Sequence, residues 1–222
     1  MQLIKALLYE KFGIIKINKI NWRKLTMLTA LYPSIIIISI SFIILLLQRV
    51  KRRISGLNFV YLLFFTIYIS SLISVTIFPF PIQKFLIETM IEDNLGLKNN
   101  VIPFKIFNDA MNMDSLSFGV SIILKQVVGN TILFLPMGFV LPIIFFNMQT
   151  KKIIFIGFLT SLSIEIFQGL AGLWIGYNYR AADIDDLIFN MLGTAFGFLM
   201  WKLLNKFLKN NNLIVTSNFF KI

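Results

Sequence analysis

Three windows without a single charge, Leu25 to Gln48, Ile54 to Gln83 and Gln126 to Thr150, leave this chain few folds. A helix crosses a hydrocarbon core of about 30 Å with roughly 20 apolar residues, and each window reaches that length. Two further spans are interrupted by polar residues, one from Ile153 to about Ala171 and one from about Asp183 to Leu204. A mean hydropathy of +0.81 and 57% apolar content over 222 residues fit no soluble domain. The expected fold is therefore all-α, a polytopic helical membrane protein with about five transmembrane helices and one long extramembrane loop.

That loop is expected from Lys84 to Lys125, where Glu88, Glu92, Asp93, Asp109 and Asp114 surround a short apolar island, Val101 to Phe107. Pro103 breaks helix continuity inside the island, so the island either dips into the interface or is a partly buried loop. Met1 to Lys24 interleaves Leu3, Leu7, Leu8, Ile14, Ile15 and Ile17 with Lys5, Lys11, Lys16 and Lys19, the pattern of an interfacial amphipathic helix. Six Lys and Arg are scattered through the first 24 residues and no small-residue cleavage site follows the next apolar run, which argues against a cleaved signal peptide. The organisation expected is an amphipathic segment (1–26), an extra N-terminal helix with a basic loop (27–56), a membrane domain (57–205) and a polar tail (206–222).

Charge and composition exclude several chemistries. The net charge of +11 comes from bases that flank hydrophobic spans, so it points to topology and anionic headgroups and not to nucleic acid. With no Cys and no His, thiolate nucleophiles, imidazole bases and the usual zinc ligand sets are unavailable. Ten bases would lie on one face and eleven on the other, six of the eleven in the N-terminal stretch. Those six can snorkel on either side, whereas the short Arg49 to Arg53 loop is a strong cytoplasmic signal. The expected topology puts the C-terminus inside and the long loop outside.

One polar cluster stands out: Glu165, Gln168, Arg180, Asp183, Asp185, Asp186 and Asn190 fall within 26 residues and include four of the ten acids. Twelve uncharged residues separate Lys152 from Glu165, about 18 Å of helix, so Glu165 lies inside the membrane. Ionisable groups there are costly unless paired or wet, which makes them functional-site candidates. Asn130 shares their depth. On the fourth span Gly157, Ser161, Glu165, Gln168 and Gly172 follow one helical stripe, and on the fifth Asp183, Asp186, Asn190, Gly193 and Gly197 do the same. Small residues on both stripes let the backbones approach, so the third, fourth and fifth spans should bring their polar groups together.

Two accounts of this cluster stay open. In the structural one Glu165 pairs with Arg180, Gln168 and Asn130 satisfy the remaining hydrogen-bonding capacity, and Asp183 caps the fifth helix. In the functional one the carboxylates form a pocket facing one local Arg, and Arg180 can hold a carboxylate or phosphate bidentately. No cofactor is implied. Mg²⁺ or Ca²⁺ on carboxylate oxygens is consistent with the acids, though they follow no recognised metal spacing.

The chain resembles the VanZ-like family. The resemblance rests on Asn100-Val101-Ile102-Pro103-Phe104, on Asn130 to Gly138, on Ser163-Ile164-Glu165-Ile166-Phe167-Gln168, on Arg180 with Asp183-Ile184-Asp185-Asp186, and on Asn190 to Gly193. It covers roughly residues 60 to 205. It implies a small multi-pass protein of the plasma membrane, some members being associated with lowered susceptibility to teicoplanin-type antibiotics. The Ile, Lys, Asn and Phe bias fits a Gram-positive source. The expected function is to bind a headgroup, peptide or drug moiety in a pocket formed by Asn130, Glu165, Gln168, Arg180, Asp183, Asp186 and Asn190. The expected partners are membrane lipid and a lipid-linked cell-wall precursor or glycopeptide. The alternative is a membrane enzyme that uses carboxylate chemistry on a lipid-linked cell-wall intermediate.

Overall fold

The structure, a computed structural model, describes residues 27–145 and 148–214. The amphipathic segment expected over 1–26 lies outside the described residues, as does the end of the polar tail. Among the described residues five helices are long and apolar enough to cross a membrane: α1 (Leu31–Val50), α2 (Gly56–Ile77), α5 (Leu116–Ile144), α6 (Thr150–Ile175) and α7 (Ile184–Asn210). Two short helices, α3 (Lys84–Glu92) and α4 (Lys105–Met111), lie between α2 and α5.

The region expected as a single loop is thus partly helical, and the third span begins at Leu116 instead of Gln126. Lys125 closes a charge-free window, but Leu116 to Leu124 is itself apolar, and a long Lys side chain can reach a headgroup layer from inside a helix. At 29 residues α5 is about 43 Å long, more than the hydrocarbon core requires. The fourth span likewise runs on to Ile175 and the fifth to Asn210.

A two-residue ladder, β1 (Met27–Leu28) with β2 (Phe80–Pro81), ties the chain ahead of α1 to the turn after α2. Helix α1 packs chiefly on α2, its one buried residue is Leu45, and Ser34 Oγ meets Ser74 Oγ at 2.8 Å. Its remaining apolar surface, including Ile36, Ile40 and Ile43, faces outward, as lipid contact requires. The core sits among the other four spans, where Leu72, Phe134, Met137, Leu141, Ile153 and Ile164 form one buried cluster.

The most extensive helix pair is α5 with α7. A Cβ on Gly138 would collide with the Thr194 carbonyl, one on Gly193 with the Thr131 carbonyl and one on Gly197 with the Leu135 carbonyl. The two backbones are therefore in direct contact, the arrangement that small residues four apart permit between helices in lipid. This contact fixes the start of α7 beside α5, and with it the acidic turn that opens α7.

Candidate functional site

Four acids and their neighbours meet where α7 begins. Asp183 is the N-cap of α7: its Oδ1 accepts from Asp185 N at 2.8 Å, satisfying an amide that the helix leaves free. The same oxygen accepts from Asn100 Nδ2 at 2.8 Å, and Oδ2 accepts from Gln126 Nε2 at 3.1 Å. Asp186 Oδ1 accepts from Gln126 Nε2 at 2.8 Å and from Asn130 Nδ2 at 2.5 Å. These bonds draw α5, α7 and the segment before α4 into one network.

Asp185 is fully buried and works on the neighbouring loop. Its carboxylate accepts from Phe104 N and, at 3.1 Å, from Ile106 N, supplying the cap that α4 lacks on its own. Phe104 holds a left-handed backbone, φ 61°, which a bulky residue adopts only when its surroundings enforce it. Backbone pairing completes the join: Asn100 N donates to Ala182 O at 2.9 Å and Ile184 N to Asn100 O at 3.0 Å.

Arg180 does not pair with Glu165, as the structural account expected. Its Nη2 donates to Phe78 O at 2.6 Å and to Val75 O at 3.1 Å. Gln168 Nε2 donates to Thr76 O at 2.9 Å and Tyr179 OH to Ile77 O at 3.1 Å. Four successive carbonyls at the end of α2, orphaned by helix geometry, are thus taken by three side chains. A guanidinium also complements the negative end of the helix dipole. Burial pushes the Arg180 pKa down, with Tyr179 and Asp186 opposing that effect. Two helix-end carbonyls, Val75 O and Phe78 O, thus hold the guanidinium in place of Glu165.

Glu165 stands apart from the other acids. It is 9% exposed, and its Oε2 accepts from Asp183 N at 2.7 Å. Among the described residues the hydrogen bond to its carboxylate is on Oε2, and Oε1 is left without one. Glu165 lines a cavity of about 390 Å³ whose other walls are Asn99 and Ala182 on one side and Ile166, Gly169, Leu170 and Leu173 of α6 on the other.

The expected residues therefore divide into groups. Asn130, Asp183 and Asp186 share one network with Glu165 at its edge, while Gln168 and Arg180 serve the end of α2. Asn190 lies deeper, with Nδ2 on Ser161 Oγ at 2.9 Å and Oδ1 buried without a partner. Sequence reasoning missed Gln126, Asn99 and Asn100 as participants. Gln126 was detectable, because it precedes Asn130 by one helical turn and shares its face. Among the described residues no three acids are disposed to hold a metal ion.

Residues 65–205 match the model of the VanZ/LLP1 family. No curated protein and no solved structure matches the chain.

Proposed function

Because the chain belongs to the VanZ/LLP1 family, a family of multi-pass membrane proteins, we propose that it acts in the plasma membrane of a Gram-positive bacterium. There it binds a polar group of the cell envelope at Glu165 and lowers susceptibility to teicoplanin-type glycopeptides without chemical turnover. The end of the bundle that carries α3, α4 and the start of α7 faces outward.

The observation that carries this reading is the free Glu165 oxygen on a cavity wall. The other three acids are engaged in holding α4, α5 and α7, which is structural work. Binding needs only one ready acceptor in a poorly solvated site, where a charge-assisted hydrogen bond is strong. Carboxylate catalysis usually needs a second positioned acid or base, whereas Asp183 and Asp185 are committed to backbone amides and Asp186 to the side-chain amides of Gln126 and Asn130.

The test is Glu165→Gln in a sensitive Gram-positive host, with teicoplanin susceptibility read beside thermal stability in detergent. The Gln carbonyl can still accept from Asp183 N, so the melting temperature should stay near wild type while protection is lost. Full protection by the folded variant would overturn the reading.

A further inference from the structure

The Glu165 cavity has a polar floor and an apolar side. Ile166, Leu170 and Leu173 recur at i, i+4 and i+7 on α6 and are 51%, 60% and 80% exposed, so the cavity opens sideways from a spanning helix. Gly169 keeps the floor bare, since a Cβ there would only touch Ala182 at 3.6 Å. From Glu165 to Leu173 the wall covers about 12 Å of helix axis, the step from a buried carboxylate up toward the interface.

The size and charge of the space restrict its occupant. At about 390 Å³ it lies near the lower end of small-molecule sites, about 300 to 1,000 Å³, and has room for a headgroup. Arg180, the cation nearest in sequence to the acidic turn, is turned toward the α2 carbonyls, and Asp183 adjoins Glu165 through its own amide. Glu165 is more than nine-tenths buried with one oxygen unpartnered, an arrangement suited to a cationic donor. Asn99 Oδ1 accepts from Ala182 N at 3.0 Å and from Asn178 Nδ2 at 3.3 Å, leaving its amide nitrogen free to donate to an oxygen of the same ligand.

We infer that this cavity holds the head of an amine-bearing membrane lipid that enters sideways from the bilayer, with its ammonium on Glu165, a phosphate or ester oxygen on Asn99 and an acyl chain along Ile166, Leu170 and Leu173. A lipid fits better than a soluble amine because its chain can stay in hydrocarbon while only the head is exchanged into the protein. The inference rests on the Glu165 site proposed above and names the chemical class that the site takes.

The test uses the full chain in detergent micelles, offered phosphatidylethanolamine and phosphatidylglycerol of identical acyl chains at equal mole fraction, with the co-purified lipid quantified. Wild type should retain the amine-headed lipid over the anionic one by about tenfold or more, the ratio expected of one charge-assisted hydrogen bond. Glu165→Gln should abolish that preference, and Gly169→Leu, which fills the floor one turn from Glu165, should lose the lipid altogether. Free O-phosphoethanolamine at matched concentration should fail to displace it. Equal retention of both lipids, retention of the preference in Glu165→Gln or Gly169→Leu, or displacement by the free headgroup would each overturn the inference. The two readings fail separately. If no lipid preference appears but Glu165→Gln still raises teicoplanin susceptibility, the binding site stands and its lipid occupant falls. If the preference appears and susceptibility is unchanged, the antibiotic role falls and the lipid site stands.

Discussion

Replacing Arg180 discriminates between a helix cap and an ion pair. Arg180→Ala removes two donors from the end of α2 and leaves Val75 O and Phe78 O without them. Hydrogen bonds from a charged donor contribute about 1.5 to 3 kcal/mol each, and the 3.1 Å bond belongs at the low end, so the loss should be about 3 to 5 kcal/mol. Arg180→Lys keeps the charge without the planar fork and should recover about half of it. The assay is reversible unfolding in mixed micelles followed by far-ultraviolet circular dichroism, run as a cycle with Glu165→Gln. Arg180 and Glu165 share no hydrogen-bond partner, so their effects should add to within about 0.5 kcal/mol. A coupling above about 1 kcal/mol would restore the ion pair, and wild-type stability of Arg180→Ala would refute the capping argument outright.

Other changes test other parts of the molecule. Gly193→Ala and Gly197→Ala each drive a methyl into a carbonyl of α5 and should cost about 1 to 3 kcal/mol or more, whereas Gly129→Ala meets nothing within 4 Å and should be neutral or stabilising by up to about 1 kcal/mol in the same assay. Asp185→Ala uncaps α4, so hydrogen exchange at Phe104 and Ile106 should accelerate by about tenfold or more while amides in the middle of α6 stay protected. Ser161→Ala strips the partner from Asn190 Nδ2 and should cost about 1 kcal/mol, the usual scale for one polar contact between helices in lipid. In the naturally Cys-free chain, Asp93→Cys should react with an impermeant maleimide on intact cells, and labelling only after permeabilisation would reverse the proposed orientation.

The membrane fold was legible because hydrophobic runs of spanning length are a one-dimensional signal. The α5 to α7 contact was legible too, since Gly193 and Gly197 lie on the same stripe as the acids and mark the face that approaches a neighbour. What failed was the pairing of charges. Glu165 and Arg180 are 15 positions apart, and opposite sign made them natural partners, yet the competing acceptors were main-chain carbonyls about a hundred positions upstream. Carbonyls are the same at every residue, so no letter in Val75 to Phe78 announces that a helix end needs donors. The loop residues Asn99 and Asn100 were obscure for a related reason. Their partners, Ala182 N and Asp183, become neighbours only after the chain has folded back across the bundle.

The capping of α2 from Gln168, Tyr179 and Arg180 bears on how the protein is made. During synthesis α2 leaves the ribosome long before the groups that complete it, since Arg180 follows Val75 by 105 positions. Over that interval the last carbonyls of α2 depend on water or on the insertion machinery, and the helix cannot settle at its final depth. Its end is secured only when α6 and the segment after it arrive, so the first and last parts of the bundle mature together and not in order of emergence. A nascent chain halted after α5 should remain extractable and sensitive to protease near residue 78, and one halted beyond residue 190 should resist.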